Sequence, residues 1–146
     1  LIMNEYLKLK ERQEKETNAM PIFWAFSDKQ FKEGMKSFGL DPEKDLDKIY
    51  SIPGGGYQKK TDAKALRDQF TRHEKEMADA IAADKTGEGF IFEMFDYELG
   101  NHEYVYTCDI SDTLDALGLT IEDLAKNPAL RAGLKAARTA QFGGEE

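Results

Sequence analysis

The sequence predicts an α+β domain that is mostly helical and carries a small antiparallel sheet of two or three strands. Apolar residues recur at helical spacing in several segments, most clearly between residues 62 and 84. Short runs rich in aromatic and β-branched residues, at 21–26 and 48–52, are instead typical of strands. The chain has 146 residues, of which 40% are hydrophobic, so it can bury a real core. A disordered chain and a membrane-spanning chain are therefore excluded.

The first three predicted elements are a charged helix, a strand and a capped helix. Residues 4–17 are rich in Lys, Glu, Arg and Gln and have few apolar positions, which predicts a largely solvated helix. The run 21–26 is apolar but too short for a helix, which predicts a buried strand. Ser27 is a good N-cap for a helix that reaches about Ser37, and Gly39 ends that helix in the left-handed conformation.

A hairpin and a long helix are predicted next. Residues 48–52 form the second strand, and residues 57–60 return as a third. Three glycines in the turn at 53–56 indicate a mobile hairpin tip. The helix over 62–84 follows, with His73 on its continuous apolar face.

The segment 90–99 is ambiguous between strand and helix. As a strand it would place Glu93 among core residues, whereas as a helix it puts Glu93 and Asp96 on one side and apolar residues over most of the rest. We therefore predict a deeply buried helix that extends to Tyr104 or Tyr106.

Three shorter helices complete the prediction. Asp112 or Thr113 begins the first, which ends at Gly118, and Thr120 begins the second. Pro128 is the first residue of the last helix, where its missing N–H costs nothing.

The predicted organisation is a charged N-terminal helix (1–18), one globular domain (19–142) and a frayed tail (143–146). Cys108 is the single cysteine, so the fold needs no disulfide and no oxidising compartment. Charged residues follow the N-terminus directly, without the apolar segment of a secretory signal. We expect a soluble, cytoplasmic protein.

The negative charge is concentrated in one block. The net charge is −8, yet residues 1–85 hold 16 basic and 16 acidic residues. Residues 86–125, the acidic block, hold ten acidic residues, six aromatic residues and no Lys or Arg. The block is either balanced within the fold by Arg131, Lys135 and Arg138 of the last helix, or it faces a basic partner. Direct nucleic-acid binding is not expected, because it requires clustered Lys and Arg.

Six residues of the acidic block are the predicted partner-binding site. Carboxylates steer the encounter with a basic protein surface, and tyrosines anchor the complex. The same mixture can mimic the phosphate spacing of nucleic acid. The six residues are Glu93, Asp96, Tyr97, Glu98, Glu103 and Tyr104.

The two histidines give the alternative, a small metal-assisted hydrolase. His73 is followed by Glu74 and His102 by Glu103, and histidine joined to carboxylate is typical of metal and acid–base sites. This enzyme would use His73, His102 and Glu103. No HExxH pattern occurs, so we predict no metal site and no cofactor. We therefore favour a non-enzymatic protein over an enzyme.

The glycine-rich turn carries a weaker prediction, an anion site. Glycine N–H groups, lysines and a helix N-terminus together favour negative charge. The candidate residues are Gly55, Gly56, Lys59 and Lys60. The pattern is not a P-loop, because no glycine directly precedes the Lys-Thr pair.

Four segments carry a family resemblance: Asn4–Gln13, Phe23–Phe31, Tyr97–Tyr104 and Thr113–Thr120. Together they resemble a family of small uncharacterised acidic proteins carried on conjugative or phage-derived mobile elements of Gram-positive gut bacteria. The resemblance runs from about Met3 to Gln141 and contains no catalytic motif. It implies a cytoplasmic location and an accessory or anti-defence role.

The expected function is therefore that of a non-enzymatic accessory protein of a mobile element. Its acidic, aromatic block would engage a basic protein surface. The sharpest version is an anti-defence inhibitor of a host system that handles nucleic acid, with a nucleic-acid-binding host protein as the partner.

Overall fold

The computed structural model describes residues 4–143, which form an α+β fold with a small antiparallel sheet, as predicted. The strands within these residues are β1 (Ile22–Trp24), β2 (Ile49–Ile52) and β3 (Gly56–Lys59). Short 3₁₀ turns occur at Leu46–Lys48 and Lys60–Asp62. The helices are α1 (Glu5–Asn18), α2 (Asp28–Ser37), α3 (Ala63–Ala83), α4 (Phe90–Asn101), α5 (Tyr104–Thr107), α6 (Ser111–Leu117), α7 (Ile121–Lys126) and α8 (Pro128–Gln141).

The chain divides into two compact units. The sheet unit is residues 13–74, and the helical unit consists of residues 1–12 and 75–146. Neither boundary coincides with the predicted limit at residue 18. The predicted tail, 143–146, lies outside the described residues except for Gly143.

The net charge belongs to the sequence of one unit. The ranges of the helical unit contain nine basic and seventeen acidic residues, a net charge of −8. The sheet unit contains eleven of each and is neutral. The acidic block lies entirely within the helical unit, so the asymmetry in the sequence is also an asymmetry between the two compact units.

The sheet of the sheet unit has β3 in the centre, paired antiparallel with β1 on one side and β2 on the other. Phe23 is opposite Tyr57, and both rings contact Phe31 of α2 with centroids 5.9 and 5.1 Å away. Alternation along the strands puts Trp24 on the other face. One face therefore packs on α2 through aromatic rings.

The predicted strand at 21–26 is shorter and less buried than expected. β1 ends at Trp24, whose side chain is 52% exposed, and Phe26 beyond it is 78% exposed. Among the described strands β1 pairs only with β3, so it is an edge strand. Its apolar run is therefore not buried between two other strands. The predicted caps of α2 are confirmed: the Ser27 hydroxyl accepts a hydrogen bond from the Gln30 N–H, and Gly39 has φ +73°.

The core of the helical unit forms around α4 and α8. Ile91, Phe95 and Leu99 of α4 are fully buried, and Leu130 and Leu134 of α8 belong to the same cluster. The predicted helix at 90–99 is thus confirmed, and it is buried as expected. Tyr6 also lies in this core, so the prediction that the N-terminal helix is solvated is wrong for its first two turns.

The helix α4 ends earlier than predicted, at Asn101. Glu103 adopts a left-handed conformation with φ 57°, which stops the helix before Tyr104. A one-turn helix, α5, follows, and Cys108, directly after its last residue, is also left-handed with φ 54°. Non-glycine residues rarely adopt this conformation, so the sequence carries no signal for the break.

The turn from α3 to α4 is organised by one carboxylate. Asp84 accepts hydrogen bonds from the backbone N–H groups of Gly87 and Ile91, at 2.9 and 3.0 Å, and from those of Thr86 and Gly89. Burial alone would raise the pKa of Asp84, but these N–H donors hold the pKa below its ordinary value. The side chain thereby satisfies free N–H groups at the start of α4.

No helix described between residues 4 and 143 combines the length and the apolar composition needed to cross a bilayer.

Candidate protein-interaction surface

Two short helices of the helical unit hold an acidic segment at the surface. Tyr104 anchors α5, since its buried hydroxyl accepts a hydrogen bond from Nε of Arg138 at 2.7 Å. Thr113 and Leu114 anchor α6: both are buried, and the Thr113 hydroxyl donates to the carbonyl of Glu98 at 3.3 Å. The acidic residues between and beside these anchors are exposed.

The exposed carboxylates of residues 103–115, together with Tyr106, define a surface that we call the acidic surface. Its tyrosine, Tyr106, is 86% exposed, the largest exposure among the exposed large hydrophobic side chains of the described residues. Asp112 and Asp115 lie three residues apart in α6 and thus share a face. The complete set is Glu103, Tyr106, Asp109, Asp112 and Asp115, all exposed.

Asp109 has a structural contact as well as exposure. Its carboxylate accepts hydrogen bonds from Ser111, one of them from the backbone N–H at 2.8 Å. These bonds lower the pKa of Asp109, and the backbone bond has the largest effect. The hydrogen bonds therefore favour the ionised form of this carboxylate.

The last helix forms no ion pair with the acidic surface among residues 4–143. Arg138 donates to the Tyr104 hydroxyl, and Arg131 donates to the carbonyls of Leu124 and Ala125 at the end of α7. Within residues 4–143, no Lys, Arg or His nitrogen lies within 4.0 Å of the four carboxylates of the acidic surface. Ion pairs of the acidic block with Arg131, Lys135 or Arg138 are not observed among the described residues, and a charge balance over longer distances stays a prediction.

Three of the predicted partner-binding residues have contacts inside the helical unit. Glu93 Oε2 lies 3.3 Å from the N–H of Glu5, at the positive end of α1. Asp96 Oδ1 accepts from Gln141 Nε2 at 2.9 Å. The Tyr97 ring is 6.0 Å from the Lys10 ammonium and remains partly exposed.

Glu98 and Tyr104 are corrected from surface residues to interior residues. Each is 3% exposed. Glu98 Oε2 accepts a hydrogen bond from the Tyr6 hydroxyl, and the Lys10 ammonium lies 3.9 Å away. Glu98 follows Met94 and Phe95 at helical spacing, so it shares their buried face. Of the six predicted residues, Glu103 alone belongs to the acidic surface.

The two histidines of the alternative enzyme both make structural contacts. His73 is buried in the sheet unit, where Nε2 lies 2.9 Å from Oε1 of Glu16. His102 is in the helical unit, and its Nδ1 lies 2.8 Å from the carbonyl oxygen of Glu98. Among the described residues, no group of three potential metal ligands includes His102 or Glu103. Convergence of the two imidazoles on one site stays a prediction.

The four predicted anion-binding residues do not form one site. The rings of Phe26 and Trp24 lie on Gly55 and Gly56, within 2.6 and 2.8 Å of where a Cβ atom would be. Lys59 is at the other end of β3, about 10 Å along the strand at ~3.3 Å per residue. Lys59 and Lys60 instead line a pocket to which neither glycine contributes.

Sequence reasoning missed Tyr106 and the three aspartates of the acidic surface as individual site residues. The signal was present for two of them: the apolar side of α6 carries Leu114 beside Thr113, so Asp112 and Asp115 fall on the opposite side. No comparable signal existed for Tyr106, because its exposure depends on the left-handed residues that bracket α5.

Comparison with known families finds a match to a family model. The model of a family of unknown function, DUF7659, matches residues 5–140. No curated protein and no solved structure matches the chain.

Proposed function

The chain belongs to this family of unknown function, and we propose that it acts as a non-enzymatic binding protein that engages a basic protein surface. The acidic surface would form the contact. One observation carries the proposal: four exposed carboxylates and an 86% exposed tyrosine share a 13-residue segment, and among residues 4–143 no Lys, Arg or His nitrogen lies within 4.0 Å of those carboxylates.

The chemistry of the acidic surface suits such a partner. Surface carboxylates accelerate the encounter with Lys and Arg of a partner at low salt, and they select partners of complementary charge. Tyr106 supplies an aromatic anchor of the kind that concentrates binding energy in protein interfaces. The net charge of −8 on the helical unit extends the attraction to longer range.

A finer proposal concerns the biological setting. The resemblance to proteins of conjugative and phage-derived elements supports an accessory role in the cytoplasm. An acidic surface suits inhibition of a host protein whose basic face binds nucleic acid, because carboxylates compete for the same Lys and Arg. We propose this anti-defence role as the specific form of the binding function.

The test is capture of partners from a lysate of the native host, with variants chosen from the structure. Asp109→Asn/Asp112→Asn/Asp115→Asn removes three charges from the acidic surface without touching a core residue. The matched control, Glu33→Gln/Glu43→Gln/Glu74→Gln, removes three exposed charges from the sheet unit. We expect partners bound at low salt to be lost with the first variant and retained with the control. Equal capture by wild type and both variants would contradict the proposal.

The finer proposal has its own measurement. The captured partner, purified, is mixed with labelled DNA or RNA, and its binding is measured with increasing amounts of this chain. Competition that disappears with Tyr106→Ala and with the triple aspartate variant supports the inhibitory role. A partner that binds the chain and nucleic acid simultaneously would leave the binding function intact and overturn the anti-defence role.

A further inference from the structure

The outer edge of β1 carries backbone groups that have no hydrogen-bond partner among residues 4–143. β1 is an edge of the sheet, with β3 on its inner side. Directly after β1, the Ala25 N–H donates to the Gly55 carbonyl at 3.0 Å, so the backbone groups of Ala25 face inward. Because the direction of these groups alternates along a strand, those of Ile22 and Trp24 face the outer edge.

The free groups of this edge are complementary to those of a second copy. The Ile22 N–H donates to the Met20 carbonyl at 2.8 Å, which leaves the Trp24 N–H as the free donor and the Ile22 carbonyl as a free acceptor. A two-fold axis beside Phe23 would place Trp24 of each copy opposite Ile22 of the other. Each free N–H then meets a free carbonyl, as antiparallel pairing requires. The edge therefore fits itself.

The side chains at this edge are large, apolar and exposed. Trp24 is 52% exposed although its ring lies on Gly56, and Phe26 is 78% exposed. Residues 21–26 contain no charged side chain. Natural proteins usually protect an edge strand with charged residues, because an unprotected edge pairs with other strands. The composition of β1 thus favours pairing.

The opposite edge of the sheet is protected. The Gly55 carbonyl faces β1, so the backbone groups of Gly56 face β2 and its opposite residue, Ile52. Alternation then turns the N–H and carbonyl of Ser51 to the outer edge of β2. Ser51 is polar and exposed, and the exposed Lys48 directly precedes β2. Since such residues disfavour strand pairing, β1 is the edge suited to association.

The charges of the chain predict how salt acts on such an association. The sheet unit contains eleven basic and eleven acidic residues, so its sequence has no net charge that opposes contact between two copies. Each whole chain nevertheless carries −8, and two copies repel each other at long range. Salt screens that repulsion. Association through β1 is therefore expected to strengthen with salt, whereas binding through the acidic surface weakens.

We propose that this protein forms a homodimer in which the β1 strands of two copies pair antiparallel and join the two sheets into one. The Trp24 N–H of each copy donates to the Ile22 carbonyl of the other, and the Trp24 ring packs beside the Ile22 side chain. Phe26 extends the apolar contact. The interface lies in the sheet unit and uses no residue of the acidic surface, so it stands independently of the proposed binding function.

The first test is sedimentation equilibrium of the full chain over a range of protein concentrations, at low and at high salt. We expect a monomer–dimer equilibrium that is tighter at high salt. Asp109→Asn/Asp112→Asn/Asp115→Asn should still dimerise, which separates this result from the outcome for the acidic surface. A chain that stays monomeric at every concentration and both salt levels overturns the proposal.

Amide hydrogen exchange then locates the interface without any substitution. The Trp24 N–H should exchange at least about tenfold more slowly in the dimer than in the monomer, because it gains an acceptor. The Ser51 N–H, on the outer edge of β2, should exchange equally fast in both. A dimer in which the exchange of Trp24 is unchanged overturns the pairing of β1.

A charge placed on each edge completes the design. Trp24→Lys should weaken dimerisation at least about tenfold, because a large apolar contact is lost and a charge enters the edge. Ser51→Lys puts the same charge on the edge of β2 and should dimerise like the wild type. Phe26→Lys, at a side chain that is 78% exposed, serves if Trp24→Lys does not fold. Equal dimerisation by the wild type and the β1 variants, or equal loss in the β2 control, contradicts the proposal.

Discussion

Gly133 of α8 lies against Ile91 of α4 so closely that a Cβ atom on Gly133 would be 2.4 Å from Cγ2 of Ile91. The same Cβ atom would be 2.8 Å from the carbonyl oxygen of Gly87, whose own φ is +84°. A glycine is thus required at 133 for α8 to approach α4 and the turn that precedes it. This contact sets the spacing of the two central helices of the helical unit.

Gly133→Ala should therefore destabilise the protein by about 1–3 kcal/mol, the usual cost of overpacking a core. Both colliding groups belong to rigid parts of the fold, one a β-branched side chain and the other backbone. Urea denaturation followed by circular dichroism measures the change. Gly100→Ala is the control: it is also helical, and its nearest neighbour would be 3.5 Å away, so its unfolding free energy should not fall. Equal stability of the two variants would contradict the tight contact.

The sequence predicted where helices begin better than it predicted how they pack against each other. Caps and periodicity are local signals, so Ser27, Thr120 and Pro128 correctly marked the starts of helices. The burial of Tyr6 was not predictable, because it depends on a contact with Glu98, 92 residues away in the chain. Long-range packing decides which face of a charged helix is used, and a single sequence does not record it.

The negative charge of the candidate site was predictable from the sequence, but the individual residues of the site were not. The absence of Lys and Arg from 86–125 is a property of composition, and the structure places five exposed residues of that block on the acidic surface. The choice of Glu98 and Tyr104 failed because a buried carboxylate and a buried tyrosine resemble surface residues in sequence. Their partners, Tyr6 and Arg138, lie in distant helices.

The carboxylate of Asp84 gives a prediction on stability and pH. Asp84→Asn should lower the unfolding free energy by about 1–2 kcal/mol at neutral pH, because the amide puts N–H donors against backbone N–H groups. The pKa of Asp84 is lower in the folded state than its ordinary value of 3.8, so its contribution is present above that value. The contribution is lost as the pH falls through the lower, folded pKa.

The measurement is urea denaturation of wild type and Asp84→Asn between pH 2 and pH 7. The stability difference should be constant above about pH 5 and should shrink towards acid. Asp115→Asn, at an exposed carboxylate of α6, should differ from wild type by less than about 0.5 kcal/mol throughout. A difference for Asp84→Asn that grows towards acid would contradict the assigned hydrogen bonds.

The Tyr6 hydroxyl donates a hydrogen bond to Glu98. We therefore expect the loss of the Tyr6 oxygen to lower the free energy of unfolding substantially. Tyr6→Phe should cost about 1.5–3 kcal/mol, since a buried carboxylate loses a donor while the ring stays in the core. Thermal and urea unfolding of the variant measure the loss. Tyr106→Phe removes the same oxygen from an exposed side chain and should be neutral. If both variants lost the same stability, the buried bond would not be a stabilising contact.

The bond between Tyr104 and Arg138 fixes α5, and with it the acidic surface, to α8. Tyr104→Phe keeps the ring, whose centroid lies 5.6 Å from the guanidinium, and removes only the oxygen that accepts from Nε. The expected cost is about 0.5–1.5 kcal/mol. Arg138→Gln removes the donor, so the double variant should be more stable than the sum of the single effects implies. Tyr104→Phe combined with Lys135→Gln, one turn earlier on α8, should be additive. If the changes in unfolding free energy were additive in both double variants, the acidic surface would not be held by this bond.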